Sequence, residues 1–199
     1  SKSFGVSIAS LREQLEIAKT LGLVEVRPKT GIKKREYSFA PAVYHSLQYA
    51  MMVDKNYFDE FSDLRRHVEA DYWHIAVEKL TDADKEMLKE IVVQAEIKLN
   101  KATPEIPHAE HRNLHLSIYK RIENPFVTGI FEAYWNAYED IGLGIIKEFD
   151  YLKKVWKYHK QIVSAIYDNK FDLGYKVLLE HMDMIQLHPQ LKYIIQSTN

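Results

Sequence analysis

The sequence predicts a mainly α-helical protein: a short helix and β-hairpin at the N-terminal end, followed by an antiparallel bundle of six or seven helices. Three observations predict it. With 7 Gly and 6 Pro in 199 residues, the chain has too little turn punctuation for a sandwich or barrel. Apolar residues recur at helical spacing in successive blocks from residue 42 onward. At 46% hydrophobic and 12% aromatic, the chain can bury a core and is not a disordered polypeptide.

Ser7 has the chemistry of an N-cap, and Leu11, Leu15 and Ala18 follow at helical spacing. A helix from Ser7 to about Leu21, ended by Gly22, is expected, with Ile8, Ser10 and Arg12 on its exposed side. Leu23 to Arg27 alternates apolar and polar residues, Pro28-Lys29-Thr30-Gly31 reads as a turn, and Ile32 to Ser38 can return as a second strand. A helix whose first turns read base edges, beside a hairpin that grips phosphate, is the geometry of a partial winged helix-turn-helix. The plainer alternative is a helix and hairpin that merely pack on the rest.

The charge distribution favours the first reading. The formal net charge is −1, yet residues 1–39 hold eight basic side chains against four acidic ones. The remainder carries the opposite excess. A basic segment on a near-neutral chain is an electrostatic footprint for nucleic acid, because Lys and Arg neutralise phosphate. The chain has no cysteine, which excludes disulfides, thiolate metal sites and cysteine nucleophiles. A reducing, cytoplasmic compartment is expected, and no apolar stretch reaches the ~18–20 residues that span a bilayer.

Beyond Pro41, helical blocks are expected at about 42–53, 56–79, 82–101, 107–123, 125–147, 148–168 and 171–187. Thr81 before Asp82 and Asp84, Asn124-Pro125, and Asp168-Asn169 punctuate them. The chain divides into a DNA-binding unit over 1–38, a linker and first helix over 39–55, and a helical unit over 56–199. No phosphate-binding glycine loop or nucleophile elbow appears. Phe126, Phe131, Tyr134, Trp135 and Tyr138, at helical spacings, read as core.

Histidines supply the candidate chemistry. His111 and His115 are four apart, on one face of a predicted helix, and His159 and His181 fall on two further helices. Imidazoles facing inward from neighbouring helices can close on one divalent ion; as isolated residues they would be packing groups. Glu110 and His108 are lesser substitutes at different angles on the helix. Arg65 could hold a carboxylate in bidentate fashion or pair with Glu69 at i, i+4, and Asn124 could contact a bound effector or cap the helix beginning at Pro125. His45, His67, His74 and His188 read as structural or surface residues.

The run Gly5-Val6-Ser7-Ile8-Ala9-Ser10-Leu11-Arg12-Glu13, continuing through Leu21-Gly22-Leu23-Val24-Glu25-Val26-Arg27-Pro28 to Gly31, resembles the recognition helix and wing of GntR-family transcription regulators. Leu64-Arg65 with Glu69 and Ala76, His111 to His115, Asn124-Pro125, His159 before Ile162 and Ala165, Asp172, and His181 after Leu178-Leu179 resemble the all-helical effector domain of its FadR-type branch. Position 8, often basic in the family, is Ile here. Many relatives have Asp where this chain has His111, so the site would hold four imidazoles and no ligand charge. The family's first helix and most of its second would lie upstream of Phe4, so tens of residues are expected before Ser1.

The resemblance implies an effector-responsive, non-enzymatic, cytoplasmic repressor that binds an inverted-repeat operator as a homodimer. Its DNA contacts would come from Ser7, Ile8, Ser10, Arg12, Arg27, Lys29, Thr30, Gly31 and Lys33. A divalent metal, zinc or nickel, would sit on His111, His115, His159 and His181, with a small organic acid held there and contacted by Arg65 and Asn124. Two alternatives are a metal-free regulator that takes a larger acyl-type ligand and a helical metallohydrolase. The latter lacks a well-placed general base and gives the basic N-terminal segment no role.

Overall fold

The computed structural model describes residues 5–140 and 149–186. Helix α1, Ile8–Thr20, starts where the sequence places it: the Ser7 hydroxyl oxygen accepts a hydrogen bond from the Ser10 backbone N–H at 3.0 Å. It ends at Gly22, whose φ of +69° is the left-handed conformation that lets the chain reverse. Strands β1, Val24–Arg27, and β2, Gly31–Lys34, form the antiparallel hairpin, shorter than the alternation suggests. The register pairs Glu25 with Lys33 and Val26 with Ile32, so Glu25, Arg27 and Lys33 share one face, while Val26, Ile32 and Lys34 share the other. No residue of α1 is buried, and Ser10, expected on the open side, is half-buried.

Among the described residues, seven helices follow: α2 Ala40–Val53, α3 Tyr57–Glu78, α4 Asp82–Leu99, α5 His108–Ile118, α6 Pro125–Asp140, α7 Phe149–Tyr167 and α8 Phe171–Gln186. Their starts are chemically specified. Thr81 and Asp84 form a reciprocal capping box at the head of α4, and Asn124 Oδ1 accepts the Phe126 N–H at 3.0 Å at the head of α6. The expected block 107–123 is cut short. Helix α5 stops at Ile118, and Tyr119 to Ile122 turn so that Tyr119 and Ile122 enter the core. Residues 141–147 of the next expected block, and His188, lie outside the described residues.

The main core runs between α3, α4, α5, α6, α7 and α8, with Trp73, Leu88, Leu114, Phe131, Ile162 and Leu178 almost wholly buried. Helices α3 and α8 run antiparallel. The Trp73 indole N–H donates to the Phe171 carbonyl at 2.9 Å near one end, and Arg66 pairs with Asp183 at 2.7 Å toward the other. A second cluster joins α2, α3 and α6 through Leu47, Phe58, Tyr134 and Trp135. Helix α6 approaches the start of α2 so closely that a Cβ on Gly129 would lie 2.8 Å from the Ala40 nitrogen. Among the described residues, no helix is long and apolar enough to cross a membrane.

Candidate metal centre

Three helices bring the four histidines together. His111 and His115 stand one turn apart on α5, His159 comes from α7 and His181 from α8. One nitrogen from each lies within 4.8 Å of all the others. The Nε2 atoms of His115 and His159 are 3.2 Å apart, and those of His159 and His181 3.0 Å. His115, His159 and His181 are 2% exposed or less. His111 is half-buried as a residue, but its Nε2 is enclosed and has no hydrogen-bond partner.

Burial holds all four imidazoles well below their ordinary pKa, because the charged form loses its hydration. For His115 the Arg65 charge adds to this; for the other three, neighbouring histidines and Arg65 contribute as well. Neutral imidazole is the form that ligates a metal. Nitrogens ~2.0–2.1 Å from a tetrahedral ion stand about 3.3 Å apart, close to the two measured separations. The orphaned His111 nitrogen and an all-nitrogen donor set therefore fit a divalent transition ion.

Aromatic walls fix the rings. The His111 ring meets Trp135 edge-on with centroids 4.7 Å apart and Trp156 at 6.3 Å, and the His159 ring lies 4.8 Å from Trp156. Of the aromatic run read as core, Phe131, Tyr134 and Trp135 are buried and Tyr138 is half-buried, whereas Phe126 is 52% exposed; Trp135 and Tyr138 also line the histidine cluster. Arg65 is buried and engaged: Nη2 donates to Glu69 Oε1 at 2.7 Å and to His115 Nδ1 at 3.0 Å, and the guanidinium lies 4.6 Å from the Tyr134 ring centre. The i, i+4 ion pair is thus present, and it also reaches the histidine cluster. Glu69 is wholly buried, with Oε1 3.5 Å from His115 Nδ1, and burial raises its carboxyl pKa against the pull of Arg65.

The sequence placed Glu69 as an i, i+4 partner of Arg65 and as part of the FadR-type signature; its position as the buried carboxylate beside the cluster was missed. The available signal was a charge pair one turn apart on a stripe that also holds Trp73 and Ala76. Asn124 is occupied as a cap, and its amide donates to the Tyr72 hydroxyl at 3.4 Å. Glu110 is spent on Lys98 at 2.7 Å. A separate cavity of about 480 Å³ lies between α2 and α3, lined mainly by Val43, Leu47, Ala50, Phe61 and Leu64.

At the N-terminal end, Ser7, Ile8 and Arg12 are exposed on α1, and Arg27, Lys29, Thr30, Gly31 and Lys33 are exposed on the hairpin. Lys29 and Gly31 both take positive φ in the turn, as tight hairpin connections require. Arg27 is paired with Glu25 at 2.7 Å, so part of the wing's positive charge is already compensated.

Comparison with known proteins agrees with this architecture. Residues 60–184 match the FCD domain. The chain is 24% identical over 169 residues to the HTH-type transcriptional regulator LutR of Bacillus subtilis, covering 84% of this chain and 73% of LutR. Among solved structures, E. coli McbR/YncC is similar with a TM-score of 0.60 at 21% identity, over 100% of this chain and 84% of that one. Streptococcus agalactiae GntR gives 0.63 at 15% identity, over 94% and 85%. These two likenesses bear on fold. With the FCD match spanning more than half of the chain and a transcriptional regulator among its relatives, the chain belongs to the FCD-domain family of GntR-type transcription regulators.

Proposed function

We propose that this protein is a metal-dependent effector sensor that acts as a repressor, released from an inverted-repeat operator when a small carboxylate binds in the helical domain. The observation that carries the proposal is the convergence of His111, His115, His159 and His181 on one point inside the bundle. Zinc or nickel suits four neutral imidazoles. With no charged ligand the ion keeps its formal +2, which favours an anionic effector.

DNA contact is assigned to Ser7, Ile8, Ser10 and Arg12 at the start of α1 and to Arg27, Lys29, Thr30, Gly31 and Lys33 on the wing. Their exposure supports this, Ser10 being the half-buried exception. Arg65 is assigned to the effector beside the metal. Asn124, engaged as a cap, would act there only indirectly. The division at 38/39 and 55/56 places α2 as the connector between operator and effector units, and a cytoplasmic homodimer matches a palindromic operator. Effector binding would act by favouring one of two arrangements of the winged helices.

Elemental analysis of the chain, purified without affinity nickel and dialysed without chelator, tests the centre of this reading. About one equivalent of zinc or nickel, lost in His115→Ala and His159→Ala, is the expected result. No metal, even after incubation with either ion, overturns it.

A further inference from the structure

We propose that Arg65 gates the histidine centre: its hydrogen bond to His115 Nδ1 and a metal ion on His115 Nε2 exclude one another, so loading the ion detaches Arg65 from His115. The inference rests on the reading of the four histidines as ligands and concerns how that site is regulated.

An arginine side chain has only donors. At 3.0 Å from Arg65 Nη2, His115 Nδ1 must therefore be the acceptor and carry a lone pair. A neutral imidazole has one N–H, which then sits on Nε2. That is the nitrogen facing His159 Nε2 at 3.2 Å, to which it donates. His115 is thus held by Arg65 in the tautomer whose ligand nitrogen is blocked by a proton.

To offer the Nε2 lone pair, His115 loses the proton at Nε2 and takes one at Nδ1, staying neutral throughout. The new Nδ1–H would face the Arg65 N–H, donor against donor. Glu69 Oε1, 3.5 Å from Nδ1, is the acceptor available on that side, and Glu69 Oε2 has no hydrogen-bond partner. A ligating histidine that passes its second N–H to a carboxylate is a recurrent metal-site arrangement. Arg65 must therefore give up His115 while keeping its charge beside Glu69. By linkage, the Arg65–His115 bond lowers metal affinity, and bound metal frees one guanidinium N–H beside a dicationic centre. Arg65 is a positioning residue in this account: it sets which tautomer His115 adopts.

The test is long-range ¹H–¹⁵N NMR of the histidine rings in the full chain, stripped with chelator and then given one equivalent of zinc. The expected result is an Nε2–H tautomer for His115 without zinc, an Nδ1–H tautomer with zinc, and a shift of the Arg65 guanidinium resonances on loading. An Nδ1–H tautomer in the zinc-free protein overturns the proposal. So does zinc bound at the cluster with Arg65 unmoved, which leaves the metal reading standing. Failure to bind zinc at all removes both. As a second measurement, the double variant Arg65→Met, Glu69→Gln keeps an acceptor for Nδ1–H, removes the competing donor and leaves no buried unpaired charge. It should bind zinc about tenfold more tightly, the worth of one hydrogen bond no longer broken. Unchanged or weaker binding by the folded variant overturns the gate.

Discussion

The Nε2 atoms of His159 and His181 lie 3.0 Å apart at the centre of the bundle, although the residues stand on different helices. At that separation one ring can donate its N–H to the other, or both can turn lone pairs on a shared cation. His181→Ala, like His159→Ala, is therefore expected to reduce bound metal from about one equivalent to near zero. His111→Ala should leave a three-histidine site of weaker affinity. Equilibrium dialysis against zinc checks the order; a His111 variant as empty as the His159 variant would contradict it.

The metal-free protein should become less stable as pH falls below the ordinary histidine range. The folded pKa values of His111, His115, His159 and His181 are depressed by burial, so the unfolded chain takes up protons before the folded chain does. Stability from these groups is thus present above an unfolded pKa of about 6.5 and is lost as pH drops toward the depressed folded values. Each contributes up to about 1.4 kcal/mol per pH unit. Urea unfolding in the presence of chelator at pH 7.5, 6.5 and 5.5 measures it, and a flat profile would show that the rings stay charged or wet.

Asp84 closes the capping box with Thr81 and accepts Arg121 Nε at 2.9 Å, with Lys120 as a further partner. Asp84→Ala should cost about 1–2 kcal/mol, mainly through the lost cap. Asp84→Asn should recover much of that, since an amide oxygen can still accept the Thr81 N–H. Thermal unfolding of the two variants separates cap from charge.

Gly129→Ala should destabilise by about 1–3 kcal/mol, because the added methyl would meet Phe39 Cβ at 2.7 Å as well as the Ala40 backbone. This variant loosens the α2–α6 contact without touching a histidine. Zinc stoichiometry should therefore survive while the melting temperature falls.

On the wing, Lys33→Ala should weaken operator binding across sequences and reduce the salt dependence by about one ion. Lys34→Ala should do less, because Lys34 shares its face with Val26 and Ile32 rather than with Arg27. A fluorescence-anisotropy salt series on the two variants distinguishes them; equal effects would place the phosphate backbone along the edge of the hairpin.

The amino-acid sequence by itself determined the local structure. Ser7, Thr81 and Asn124 start helices because their side chains satisfy backbone N–H groups a few residues away, and Gly22 stops one because it alone takes positive φ without strain. The one-turn spacing of His111 and His115 was likewise legible, as was the pairing of Arg65 with Glu69. Tertiary structure decided the rest. That α5 ends at Ile118 follows from burial of Tyr119 and Ile122, which no local preference encodes. That Arg65 bonds a histidine 50 residues away, and that Glu69 becomes the carboxylate of the centre, depends on how α3 packs against α5. Helical periodicity sets the face on which a side chain lies; only the packed bundle sets which groups that face meets.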